Sequence, residues 1–151
     1  MTIDQLLKII DKAIGEEIAS YEFYKDASEK IEDQNLKSLF SELSQDELKH
    51  KQYLEEFAKS GATTIKIDGS EDYKLSEELD EVELSTDMSF KDAVQLAMKR
   101  EEAAMNQYKD IAASCEDEEE KKTFEGLSEM EQLHKTRLED IFLNVGFREV
   151  W

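Results

Sequence analysis

Slid along itself by 84 residues, the chain meets a second copy of its own pattern without a gap. Ala13 meets Ala97, Glu17 meets Glu101, and Ala19 meets Ala103. Tyr24-Lys-Asp26 meets Tyr108-Lys-Asp110, while Phe40, Leu43 and Ser44 meet Phe124, Leu127 and Ser128. Glu47 and His50 meet Glu131 and His134, and Leu54 meets Leu138. The chain has 2 histidines, and each closes a Glu-x-x-His motif. One such motif says little where 38 of 151 residues are acidic, but two in register mark a duplicated unit. A repeat of one helix hairpin is the simplest account, and two hairpins make a four-helix bundle.

The apolar periodicity supports this all-α reading. There is no proline, and glycine occurs only 5 times. Thr2 to about Ile31 reads as a helix with a Thr2-x-x-Gln5 capping box and Leu6, Ile9, Ile10, Ala13, Ile14 and Glu17 on one stripe. Glu32-Asp-Gln-Asn35 is a polar break, and Leu36 to Ser60 reads as the second helix, stopped by Gly61. Residues 62–88 lose the helical period; Thr63–Ile67 is faintly strand-like, and the Ser76–Leu84 stretch could carry a short helix. Ser89-x-x-Asp92 caps a third helix, Ser114–Glu118 is a break, and the fourth helix runs to about Val145 with Gly146 as its stop. A short tail, 146–151, closes a single domain spanning 1–151.

The register also selects the glutamates that matter. Glu16 aligns with Arg100 and Glu102 with Ile18, so on the first and third helices only Glu17 and Glu101 are shared. If the first hairpin folds back at residues 32–33, Glu17 lies about 16 residues before the turn and Glu47 and His50 about 14–17 after it. At about 1.5 Å per residue these are the same height on antiparallel helices. The second hairpin places Glu101 level with Glu131 and His134 in the same way. Six side chains therefore converge on stripes otherwise made of Leu, Phe, Ile and Ala. Four carboxylates in such a core are costly unless protonated or neutralised, and two divalent cations would supply the missing charge. Hard carboxylate oxygens with two imidazoles suit iron or manganese, and zinc is compatible. Iron is the first choice, because an open two-iron site reacts with dioxygen or peroxide.

Composition removes other classes. A formal net charge of −19 leaves no basic face for nucleic acid and disfavours anionic membrane surfaces. No apolar run approaches the roughly 18 residues of a membrane helix. Met1-Thr-Ile-Asp does not read as a signal peptide, so a cytoplasmic location is expected. The lone Cys115 excludes an intramolecular disulfide and reads as structural. Tyr53 and Arg137, one turn after each histidine, read as ordinary helix-face residues.

Glu17-x6-Tyr24, Glu47-x-x-His50, Glu101-x6-Tyr108 and Glu131-x-x-His134 together resemble the rubrerythrin-like branch of the ferritin-like di-iron proteins. The resemblance covers both hairpins. It implies two iron ions per chain held by Glu17, Glu47, His50, Glu101, Glu131 and His134, with Tyr24 and Tyr108 supporting those ligands. It implies a homodimer and reduction of hydrogen peroxide or dioxygen, or ferroxidase-type iron handling. It implies parallel second and third helices, hence a long crossover. A helix of about 25 residues is roughly 37 Å long and needs at least about 11 extended residues to retrace, which 61–88 supplies. Two departures matter. Full rubrerythrins carry a rubredoxin domain with Cys-x-x-Cys pairs; none occurs here, so a separate rubredoxin-like donor is expected. Full rubrerythrins also carry an extra carboxylate one turn after the third-helix glutamate, where this chain has Ala104. Beside the enzyme stand two other expectations: an iron-handling protein, and a bundle that metals merely hold together.

Overall fold

Four helices form because four stretches carry apolar side chains at helical spacing and because capping residues close their ends. The structure, a computed structural model, describes residues 2–60 and 90–146. The crossover, Gly61, the Ser89 cap and residues 147–151 lie outside the described residues. The helices are α1 (Ile3–Lys30), α2 (Gln34–Ser60), α3 (Phe90–Ser114) and α4 (Glu118–Gly146).

The capping box is present: Gln5 N–H donates to Thr2 Oγ1 at 3.1 Å, and Thr2 N–H donates to Gln5 Oε1 at 2.8 Å. α2 begins two residues earlier than the expected Leu36, because Asp33 Oδ1 accepts Leu36 N–H at 3.1 Å and so caps the helix from within the polar break. Asp117, its counterpart in the repeat, does the same for α4, accepting the N–H groups of Glu119 and Glu120 at 2.9 and 3.0 Å. The acidic Glu118–Glu120 run then sits at a helix N-terminus, where negative charge is favourable. Asp117→Ala should cost about 1 kcal/mol, within the 0.5–2 kcal/mol range of lost N-caps, measured as a shift in the denaturant midpoint. An unchanged midpoint would mean that this cap contributes nothing.

The short breaks at 31–33 and 115–117 fold α1 onto α2 and α3 onto α4, and the hairpins meet along α1 and α3. The result is a ferritin-like four-helix bundle whose apolar core is divided in two. One cluster joins the turn end of the first hairpin (Phe23, Tyr24, Leu39, Phe40, Leu43) to Ala93, Val94, Ala97 and Leu138 of the second. The other joins the turn end of the second (Tyr108, Ile111, Phe124, Leu127) to Leu6, Ile10, Ala13 and Leu54 of the first. Each hairpin's turn therefore packs against the other's open end, as a pseudo-twofold axis across the bundle requires. Between the clusters, at mid-height, lie the buried polar residues Glu17, Glu47, His50, Glu101, Glu131 and His134.

The halves are not identical. Lys135 and Glu139 on α4 form a wholly buried pair at 3.6 Å, whereas their counterparts Lys51 and Glu55 pair at 3.4 Å with 30% and 44% of each side chain exposed. α4 is covered on a flank that α2 leaves to solvent. No described helix is long and apolar enough to cross a membrane.

Candidate metal centre

Glu17 and Glu101 come from the middles of α1 and α3, and the two Glu-x-x-His pairs from the middles of α2 and α4. At i, i+3 each pair shares one helix face. All six residues are 3% exposed or less, so the structure brings every one of them to the same buried layer. His50 Nδ1 lies 2.6 Å from Glu131 Oε1 and 3.6 Å from both Glu17 and Glu47. His134 Nδ1 lies 3.1 Å from Glu47 Oε1 and 3.4 Å from Glu101 Oε1. The imidazole rings stack, with centroids 5.6 Å apart and 11° between planes.

Close approach is not hydrogen bonding here. Glu17 Oε2, Glu47 Oε1, Glu101 Oε2, Glu131 Oε1, His50 Nδ1 and His134 Nδ1 are each buried with no hydrogen-bond partner among the described residues. Each of the six residues thus keeps an unsatisfied ligating atom buried in this layer. Buried polar atoms are normally paired, and a set that converges lone pair to lone pair fits a cation between them. The atoms fall into two sets of four: Glu17, Glu47, His50 and Glu131, and Glu47, Glu101, Glu131 and His134. Glu47 and Glu131 belong to both sets. The residues could therefore hold two metal ions with two carboxylates between them and one carboxylate and one imidazole at each end.

The electrostatics without metal point the same way. Burial, then the charges of Glu131, Glu17 and Glu101, pushes the Glu47 carboxyl well above the carboxylate range. Burial, then Glu101 and Glu17, does the same to Glu131. Burial would also raise Glu17, but His50 beside it more than offsets this and holds it low. Burial works against charge on both imidazoles, yet the surrounding carboxylates raise His50 and raise His134 well above the usual value. A layer this short of positive charge shares protons unless a cation replaces them.

The tyrosines cross between hairpins. Tyr24 of α1 donates its hydroxyl to Glu101 Oε1 of α3 at 2.5 Å, and Tyr108 of α3 donates to Glu17 Oε1 of α1. Burial, then the glutamate it touches, drives each phenol well above its ordinary value, so each remains a donor. Each ring stacks on the phenylalanine of its own hairpin, Tyr24 on Phe40 at 5.7 Å and Tyr108 on Phe124 at 6.4 Å. One glutamate oxygen is thus held while the other is left for the centre. Tyr24→Phe should weaken metal uptake by about tenfold, as loss of a ligand's outer hydrogen bond does, with helicity unchanged; metal titration followed by circular dichroism checks this.

Asp46, which the repeat does not single out, also reaches this layer. Its Oδ2 lies 3.1 Å from His134 Nε2, the ring nitrogen turned away from the centre. That hydrogen bond, outweighing its partial burial, holds the Asp46 carboxyl below the usual range. A search for residues shared by both halves discards Asp46, because Met130 stands at its counterpart. Its position one turn before His50 on the same helix was the available signal. Arg137, expected to be an ordinary helix-face residue, makes a two-pronged pair with exposed Glu42 at 2.9 and 3.3 Å. Ala104 lines an open cleft of about 290 Å³ between α1 and α3, with Ser20 and Arg100 beside it and Glu17 also lining it. Burial and the nearby Glu120 and Asp117 push the Cys115 thiol up, against formation of the thiolate.

Fold and site together define a ferritin-like helical bundle built round a carboxylate–histidine centre. A family model described as rubrerythrin matches residues 8–142, and the chain belongs to the rubrerythrin family. A solved structure of a hypothetical protein from Pyrococcus furiosus is similar in fold, with a TM-score of 0.71 at 23% identity over 100% of this chain and 99% of that one. Comparison with curated proteins finds no significant match.

Proposed function

We propose that the chain is a non-haem di-iron oxidoreductase that reduces hydrogen peroxide, or dioxygen, with electrons from a separate rubredoxin-like protein. The observation that carries this reading is the pair of four-residue donor sets sharing Glu47 and Glu131. Six ligating residues for two ions leave coordination positions open to a small oxidant. When bound, two irons would supply the Lewis acidity and the two electrons of the reaction H2O2 + 2H⁺ + 2e⁻ → 2H2O.

The chain's own residues do the rest. Glu47 and Glu131 would hold both ions, with Glu17 and His50 completing one position and Glu101 and His134 the other. Tyr24 and Tyr108 fix the end glutamates and keep their protons. The two apolar clusters above and below exclude water along the bundle axis. The cleft between α1 and α3 gives a small substrate a route to Glu17, and Ala104 keeps it open where a longer side chain would fill it. A homodimer is part of the proposal.

Anaerobic turnover of peroxide with reduced rubredoxin, set against the metal-free protein, tests the reading. Metal-dependent turnover is expected, with two irons per chain. Equal rates with and without metal would sink it. Oxidation of added Fe²⁺ well beyond two per chain, without need of a donor, would move the assignment to iron handling.

A further inference from the structure

The two histidines are held differently. His134 presents Nδ1 to the carboxylates and Nε2 to Asp46 Oδ2 at 3.1 Å. His50 also presents Nδ1 to the carboxylates, but its Nε2 is buried with no hydrogen-bond partner among the described residues. In the repeat the counterpart of Asp46 is Met130, whose thioether is a poor acceptor. One end of an otherwise duplicated centre therefore has a carboxylate behind its imidazole and the other does not.

A carboxylate accepting the outer N–H of a histidine fixes the tautomer, leaves the inner nitrogen bare for a metal, locks the ring and raises its basicity. Asp46 is placed for all of these. It reaches from α2 to α4 and is one-quarter exposed, which leaves it solvated enough to stay charged. Lys49 Nζ, 3.9 Å from its other oxygen, does not displace the bond. We propose that Asp46 is a positioning residue that makes the two metal positions unequal. The position formed by Glu47, Glu101, Glu131 and His134 fills first and more tightly, and the one formed by Glu17, Glu47, His50 and Glu131 fills second. This rests on the two-metal reading of the site.

The test is calorimetric and visible-absorption titration of the metal-free full chain with Co²⁺, which needs no turnover. The unaltered chain should bind in two resolved steps. Asp46→Ala should weaken the first step by about 10–100-fold, the usual cost of losing such a partner, and leave the second nearly unchanged, so that the steps merge. Asp46→Asn, which keeps shape and acceptor but not charge, should shift the same step less, and it serves if the alanine variant folds poorly. Glu42→Ala removes a different contact from α2 to α4 and should leave both steps where they were. Superimposable isotherms for Asp46→Ala and the unaltered chain would overturn the proposal. So would equal weakening of both steps, or the same shift from Glu42→Ala. Failure of the unaltered chain to bind Co²⁺ at all would overturn the two-metal reading with it, and is thereby distinguishable from failure of the role of Asp46 alone.

Discussion

Replacing Glu131 by leucine should empty both metal positions at once, whereas replacing Glu17 by alanine should empty one. Glu131 belongs to both donor sets and Glu17 to one. Loss of a ligand from each position exceeds the roughly 100-fold that loss of an outer partner can cost, so neither ion should survive gel filtration in Glu131→Leu. The metal-free protein should respond in the opposite sense. Glu131 is a buried carboxyl among three others, and an apolar side chain of similar size removes both that repulsion and the cost of burying the group, which should outweigh the loss of its 2.6 Å contact with His50. The measurements are metal content by atomic spectroscopy and denaturant unfolding in chelator. One retained ion in Glu131→Leu would show that the carboxylate serves a single position. A metal-free variant less stable than the parent would show that the buried carboxylates are not in conflict.

The second large effect is the dependence of stability on pH, which should reverse sign with metal. Without metal, the pKa values of Glu47 and Glu131 in the folded chain lie well above the ordinary 4.5. The folded chain therefore keeps protons that the unfolded chain releases, and the stability they contribute is lost as pH rises above the ordinary range through the folded values. His134 and His50, raised above 6.5, contribute stability that is full below that value and lost as pH climbs through their folded values. Glu17 acts oppositely: lowered below 4.5, it contributes above that value and is lost only on stronger acidification. Between about pH 6 and pH 8, where exposed carboxylates no longer titrate, the metal-free chain should thus lose stability as pH rises. With Co²⁺ it should gain, because metal binding competes with protons for the same atoms. Unfolding midpoints at both pH values, with chelator and with metal, decide it. A metal-free midpoint that rises over this interval would contradict the protonated layer.

The fold and the six-residue polar layer were legible because duplication wrote those residues twice. Glu17 could be chosen over Glu16, and Glu101 over Glu102, only because the register discarded the others. The equal distances of Glu17, Glu47 and His50 from one turn placed them at one height, and the structure keeps them there. What the register cannot see is whatever the halves do not share. Asp46 was lost for that reason, and so was the difference between the buried Lys135–Glu139 pair and the more open Lys51–Glu55 pair. The start of α2 was misplaced by two residues for another reason. In Glu32-Asp-Gln-Asn35 several side chains can cap a helix, and apolar spacing marks the first buried residue, Leu36, rather than the residue whose oxygen catches the free N–H groups.

The crossed tyrosine bonds carry a consequence for descent. Tyr24 to Glu101 and Tyr108 to Glu17 are the contacts that two identical hairpins would exchange about a twofold axis. A peptide of half this length would therefore have held every ligand type already and needed only a copy of itself to complete the set. On that view the six-residue layer came before gene fusion, and joining the copies freed each to change alone. The aspartate on one side and the methionine on the other are the marks of that freedom. An isolated 90–146 hairpin that pairs with itself and takes up metal would support this order of events, and one that stays monomeric and metal-free would argue against it.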